Sequence, residues 1–335
     1  MILSPTYIHR LRCIALIFFQ TEYNGPVKIT MDVGVIGVGT MGRNHARVFS
    51  ELKAVDNLYL FDLNTRAAGE LAQKFDANVA STEKELLDAV DAVSVVVPTQ
   101  FHYTIAREII RTNIPVLIEK PICLTSREAE DLIQEIPAGL VVGVGHIERF
   151  NAIVPELTRI VRHPLYVQIH RHNPASSRIT GSTVVEDLMI HDIDLIFHLT
   201  EIESWDVHSS GDRDVASALF TMNTHPVYLS ASRKSSKKVR TIYIEQEDLT
   251  IEGDFMNQEI YVHRKPDKFS FENERYTQEC LTEKVQVNWG EPLKRELSTF
   301  LSCVKSGKPF PVTPQQGLFN LQICEKIISG FPKTT

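Results

Sequence analysis

The sequence predicts an α/β fold, with a doubly wound parallel sheet toward the N-terminus and an α+β domain with a largely antiparallel sheet after it. Three observations lead there. From residue 32 to about 145, short uncharged apolar runs alternate with amphipathic stretches of helical period. After about residue 150 the apolar spacing drops toward two. Between the first run and the first helix lies a glycine-rich turn, Gly37-Val38-Gly39-Thr40-Met41-Gly42.

In order, Val33 to Ile36 is a strand. Thr40 to Leu52 is a helix with Met41, Val48, Phe49 and Leu52 on one face. Leu58 to Phe61, Ala92 to Val97, Val116 to Ile118 and Leu140 to Val144 are strands. The helices between them are Arg66 to Phe75, Phe101 to Arg111 and Ser126 to Ile136. Ala92 to Val97 is β-branched and uncharged, as a strand covered on both faces must be. A helix from Ala152 to Val161, a strand from Tyr166 to Arg171 and a helix from Val185 to Leu199 follow. Five segments between Ala216 and His263 then read as an antiparallel meander, and helices at Pro292 to Lys305 and Pro314 to Ile328 close the chain. The domains are expected at 31–148 and 149–335, after a leader of residues 1–30 that the fold does not need, because Met31 stands directly before the first strand.

A net charge of -7 disfavours nucleic acid as a partner. No apolar run reaches the length of a membrane span. Five cysteines, widely spaced and without a C-x-x-C pair, read as reduced thiols in a cytoplasmic protein.

The glycine turn matches G-x-G-x-x-G, and its context makes it specific. It follows a strand, opens a helix, and is followed 20 residues after Gly42 by Asp62 at the next strand end. Gly37 allows the tight turn, Gly39 lets a pyrophosphate approach the backbone, and Gly42 lets helix and strand pack closely. The N–H groups of Thr40, Met41 and Gly42 then face the phosphates at a helix N-terminus. Asp62 suits the ribose hydroxyls and repels a 2′-phosphate, which favours NAD over NADP, although Arg66 nearby would soften that preference. Asp62 is also a natural helix N-cap, and the two roles are compatible.

These residues, with VPTQFHYTIA from Val97, EKPI from Glu119 and DLMIHDID from Asp187, resemble the Gfo/Idh/MocA oxidoreductases (the glucose-fructose oxidoreductase and inositol dehydrogenase family) over roughly residues 31 to 331. The resemblance implies that Pro98, Thr99 and the neighbouring His102 serve the nicotinamide end of the cofactor. It implies that Glu119 and Lys120 belong to an E-K-P motif whose lysine lies beside the nicotinamide and the reacting hydroxyl. Asp187 and His191 match the family's D-x-x-x-H pair. Where many members carry glycines before that aspartate, this chain has Thr183-Val184-Val185-Glu186. Within the family, GHIERFN from Gly145 and VVEDLMIHDID from Val185 look most like enzymes that oxidise UDP-N-acetylglucosamine at its 3-position. The resemblance further implies a homo-oligomer, with the antiparallel sheet as a candidate dimer face.

The chemistry follows from the residue types. Histidine titrates near working pH, so His191 is the candidate base, with Asp187 four residues earlier on the same helical face to orient it or to hold a substrate hydroxyl. The Lys120 ammonium can stabilise a developing alkoxide. Arg149, Arg171 and Arg178 are candidates for a substrate diphosphate, with Asn151 and Asn173 as further pocket residues. Asp187, His191, Asp194 and His198 form a stripe that resembles a ligand set, but one helix rarely points four ligands at one ion, and no metal is expected. Two other functions are kept: a dehydrogenase of free sugars or inositols, and a non-catalytic NAD(H)-binding regulator.

Overall fold

A computed structural model of the chain describes residues 30–174, 181–266, 269–272, 275–278 and 280–332. Arg178 and, apart from Thr30, the leader lie outside the described residues. Two compact units emerge, one of residues 28–154 with 289–325 and one of 155–288 with the chain's last residues.

The first unit holds six parallel strands: β1 (Met31–Ile36), β2 (Val55–Phe61), β3 (Asn78–Val79), β4 (Ala92–Val95), β5 (Val116–Glu119) and β6 (Val142–Gly145). Their order is β3-β2-β1-β4-β5-β6, so the direction of winding reverses between β1 and β4. Open sheets of this kind bind ligands in the crevice beyond the strand ends at that reversal. Every residue of β4, β5 and β6 is buried, as the uncharged runs require. The connecting helices are α1 (Thr40–Glu51), α2 (Thr65–Phe75), α3 (Glu83–Leu87), α4 (His102–Arg111) and α5 (Ser126–Gln134). Thr125 and Glu128 form a capping box at the start of α5. The short β3 and α3 carry too little periodicity to be read from sequence.

From α6 (Ile153–Ile160) the chain enters the second unit, an eight-stranded sheet. Its strands are β7 (Tyr166–His172), β8 (Trp205–Gly211), β9 (Val215–Met222), β10 (His225–Ser232), β11 (Val239–Glu245), β12 (Leu249–Asp254), β13 (Glu259–Arg264) and β16 (Leu281–Val285). A hairpin of β14 (Phe269–Glu272) and β15 (Arg275–Gln278) stands apart. The order β16-β13-β12-β11-β7-β10-β9-β8 corrects the expected meander, because β7 lies between β10 and β11, parallel to the first and antiparallel to the second. Residues 233–238 easily span the roughly 10 Å that separates strands two apart. Burial alternates along β7: Val167, Ile169 and Arg171 are buried, while the intervening residues are half-buried.

One helix packs on the buried face of this sheet. It begins as a π-helical turn, Val185–Met189, and continues as α7 (Ile190–Leu199). Thr183 and Glu186 bond reciprocally at its start: the Thr183 N–H and hydroxyl donate to Glu186 Oε2, and the Glu186 N–H donates to Thr183 Oγ1. This capping box takes the place of the glycines that many family members carry there.

The last helices are α8 (Pro292–Ser306) and α9 (Pro314–Ser329). The structure departs from the expected domains here. The first unit runs to residue 154, not 148, and residues 289–325 return to it. Leu293, Leu297, Phe300, Leu301, Phe310 and Val312 are buried in the core of the parallel sheet, and Arg47 of α1 pairs with Glu291. An amphipathic pattern shows that a helix has a buried face but not which sheet covers it.

Candidate functional site

The glycine turn has the shape a dinucleotide needs. Gly37 takes φ +98°, a conformation that other residues avoid. A Cβ on Gly42 would lie 1.9 Å from the Gly37 carbonyl oxygen, so only glycine lets α1 start this close to β1. A Cβ on Gly39 would meet nothing within 4 Å, and no side chain caps the first turn of α1. The first turn of α1 thus has no side-chain cap and carries a positive helix end.

Asp62 holds the turn in place. Its Oδ2 accepts the Val38 N–H at 2.7 Å and its Oδ1 accepts the Asn64 N–H at 2.8 Å. It is not the helix N-cap; Asn64 is, accepting the Ala67 N–H. Arg66 is extended into solvent and pairs with Glu70.

Beyond β5 the E-K-P segment is braced from inside the unit. Glu119 is buried; its Oε1 lies 3.0 Å from His45 Nε2, and its Oε2 accepts the Lys120 N–H at 3.1 Å. His45 is fully buried, with its Nδ1 2.8 Å from Ser94 Oγ. Burial by itself would push the Glu119 carboxyl up, but the His45 hydrogen bond and charge, helped by Lys120, hold it below the usual carboxylate range. An ionised Glu119 only accepts, so His45 carries its proton on Nε2, and the Ser94 hydroxyl completes the chain. Among the described residues, His45, Glu119 and Glu296 are the one set of metal-type side chains whose ligand atoms converge, all within 4.8 Å of one another and all buried.

His102, expected at the cofactor, is instead an interior residue, 1 % exposed. Its Nδ1 lies 2.8 Å from the Pro121 carbonyl and its Nε2 2.8 Å from the Val97 carbonyl. Burial pushes its pKa below the ordinary histidine value, with those two carbonyls and Glu119 opposing. Pro98 and Thr99 follow Val97 directly, at a 3-10 turn that leads into α4.

In the second unit, Asp187 lies in the π turn and His191 on the first turn of α7, where it is 9 % exposed. A π turn inside a helix is rare and recurs at functional sites. Asp187 faces a fully buried arginine, Arg233, at 3.3 Å. Arg233 also donates to the carbonyls of Ser182 and Thr183 at 2.9 Å each, which fastens the start of the helix to the end of β10.

Several substrate candidates already have partners within the protein. Arg171 is 1 % exposed, and its Nε and Nη2 both donate to Asp192 Oδ1, at 2.8 and 2.7 Å. A guanidinium committed to a buried carboxylate cannot meet a diphosphate. Asn151 is buried, and its Oδ1 accepts the Ile153 N–H at the entrance to α6. Arg149 is buried in a 3-10 turn of the first unit, whereas half-buried Asn173 follows β7, its N–H bonded to Ser232 O.

His45 and Arg233 escaped the sequence reading. His45 occupies a core position of α1, four residues after Met41 and three before Val48, so a polar residue in an apolar stripe was the available signal. Arg233 follows the last residue of β10 with no pattern to mark it.

Residues 31–146 match the family model described as an oxidoreductase family with an NAD-binding Rossmann fold. A UDP-N-acetylglucosamine 3-dehydrogenase from Acidithiobacillus ferrooxidans is 34% identical over 248 residues, 71% of this chain and 78% of its own length. This chain belongs to the Gfo/Idh/MocA oxidoreductase family. As a member, it is an NAD-binding enzyme with a doubly wound sheet followed by a mainly antiparallel one. A crystal structure of the Acidithiobacillus protein superposes with a TM-score of 0.80 at 29% identity, over 90% of this chain and 98% of that one. An inositol 2-dehydrogenase from Saccharopolyspora erythraea is 32% identical over 50% of this chain and 53% of its own length. A levoglucosan dehydrogenase bound to NADH shares the fold, with a TM-score of 0.76 at 17% identity over 90% of this chain and 97% of that one.

Proposed function

We propose that the protein oxidises the 3-hydroxyl of UDP-N-acetylglucosamine with NAD. The observation that carries this reading is the 34% identity to a UDP-N-acetylglucosamine 3-dehydrogenase over 71% of the chain. NAD, when bound, would supply the hydride acceptor. The glycine turn and the first turn of α1 hold its pyrophosphate, and Asp62, already aimed at the turn, holds the adenosine ribose. Pro98 and Thr99 border the nicotinamide. Lys120 donates to the substrate oxygen and stabilises its developing charge. His191 takes the hydroxyl proton, and Asp187, 3.3 Å from Arg233, fixes the substrate or the His191 ring. With Arg171 committed to Asp192, the diphosphate must find other cations.

A screen that follows NADH absorbance tests the reading, with UDP-N-acetylglucosamine, other UDP-sugars, free sugars and inositols as substrates. The highest kcat/KM is expected with UDP-N-acetylglucosamine. A higher value with inositol would support the second reading, which the inositol dehydrogenase match favours. NADH binding without turnover of any of them would support a regulator.

The partner reading is a second copy of this chain on the open face of the eight-stranded sheet. Leu219 and Val215 are 45 and 40 % exposed there, beside half-buried Tyr228, His170 and Tyr243. Light scattering should report a dimer or larger, and Leu219→Glu should shift it toward monomer.

A further inference from the structure

We propose that His102 is a positioning residue that fixes the distance between the two loops bordering the nicotinamide, and so sets the rate of hydride transfer more than cofactor affinity. The inference rests on the assignment of Lys120 and Thr99 to the reaction centre.

The argument is geometric. The loop after β4 carries Pro98 and Thr99, and the loop after β5 carries Lys120. These strands are neighbours in the parallel sheet, so the two loops leave it side by side. Both adjacent residues, Val97 and Pro121, turn a carbonyl inward, and a single imidazole spans the gap with 2.8 Å contacts at its two nitrogens. His102 is the first residue of α4, so a rigid helix carries the brace. The side chain is too deeply buried to touch substrate or cofactor. An uncharged imidazole has one N–H, so it donates to one of these carbonyls at a time. On the far side of Lys120, Glu119 is held by His45. Lys120 thus has a bonded neighbour on each side, and His102 ties one of them to the Thr99 loop.

The two ring nitrogens can be tested separately. The amide of asparagine stands near the position of Nδ1 and keeps the Pro121 contact; the amide of glutamine reaches the position of Nε2 and keeps the Val97 contact. Leucine keeps neither. His102→Leu should lower kcat about 10–100-fold, as a displacement of the order of 1 Å at the reacting groups does. Its KM and its NADH Kd should stay close to those of the parent. His102→Asn should recover more of kcat than His102→Gln, because it holds the loop that bears the lysine. If the leucine variant does not fold, the asparagine and glutamine variants decide alone: equal kcat in both, or loss of NADH binding with kcat intact, overturns the proposal. Lys120→Ala is run in parallel. If that variant keeps its activity, the assignment of the reaction centre fails. If it loses activity while His102→Leu turns over like the parent, the positioning role fails.

Discussion

The two units solve one problem with different chemistry. Each must hold a reactive side chain still from beneath. In the parallel-sheet unit the supports are histidines: His45 bonds Glu119 and Ser94, and His102 bonds two main-chain carbonyls. In the mixed-sheet unit the supports are arginine–aspartate pairs, Arg233 with Asp187 and Arg171 with Asp192. A histidine brace suits loops at the ends of neighbouring strands that must admit a cofactor. A guanidinium fork is rigid and always charged, which suits a helix start that must not shift. The first kind of support should therefore respond to pH, and the second should break all at once.

The largest effects belong to the groups that the supports serve. Lys120→Ala and His191→Ala should each lower kcat strongly, the histidine variant by about 10²–10⁴-fold for loss of general-base help. NADH should still bind both, since the glycine turn and Asp62 are untouched. The residual activity of His191→Ala should rise with pH as hydroxide replaces the base. Stopped-flow turnover and fluorescence titration of NADH check these outcomes. If both variants keep the parent kcat, the catalytic assignment is wrong in both units.

Breaking an arginine–aspartate pair sharpens the contrast next. Arg171→Met removes the guanidinium from Asp192, whose side chain is 0 % exposed. That should cost about 3–5 kcal/mol of unfolding free energy. Adding Asp192→Leu should return most of it, because an apolar pair of similar volume replaces two charges that were costly to desolvate. Urea unfolding measures both variants. A double variant no more stable than Arg171→Met would show that the pair is worth more than its desolvation.

How much of this could be read beforehand follows the same division. Gly37, Gly39, Gly42 and Asp62 announce their roles because a phosphate-binding turn has strict backbone demands, and sequence spacing expresses those directly. Asp187 and His191 were legible as residues of one helix. The π turn was not, because a helix buried on most of its faces has little apolar periodicity for an extra residue to shift. Arg171 reads like any exposed arginine in an alternating strand, and only the fold reveals Asp192 opposite. His102 lay in a recognised motif, yet its target is main chain, which sequence does not mark. The return of α8 to the first unit is a tertiary choice that local pattern leaves open.

Asp62 tests whether one carboxylate serves both turn and cofactor. Asp62→Ala removes the acceptors for the Val38 and Asn64 N–H groups as well as the proposed ribose contacts. NADH affinity should weaken by about 1.5–3 kcal/mol, the usual range for hydrogen bonds to a charged group. The gap between NADH and NADPH should narrow, since the repulsion of a 2′-phosphate goes too. Equal or tighter binding of NADPH by the parent protein would refute the cofactor preference.

The smallest effect separates the histidine supports from the ion pairs by pH alone. Burial holds His102 below the ordinary histidine pKa, and His170 and His172 are lowered in the same direction on the sheet face, His170 also by His172 beside it. In the unfolded chain these rings take up protons as the pH drops through about 6.5. The folded protein resists, so below that value the unfolded state binds more protons and stability falls as the pH falls. Above it both states are neutral at these rings, and their contribution is flat. Glu119 acts elsewhere: its carboxyl is held low, so its stabilisation persists until the pH drops below the ordinary carboxylate value near 4.5. Between about 4.5 and 6.5 the slope thus reports the histidines, and a single buried ring contributes at most about 1.4 kcal/mol per pH unit. Denaturant melts at half-unit pH steps should show this decline in the parent protein. In His102→Gln the slope should be shallower once the pH falls below about 6.5 and unchanged above it. Superimposable slopes would mean that His102 takes up its proton as readily in the folded state as in the unfolded one. The brace would then donate from both ring nitrogens at once, and the first unit would rely on fixed charge just as the second does.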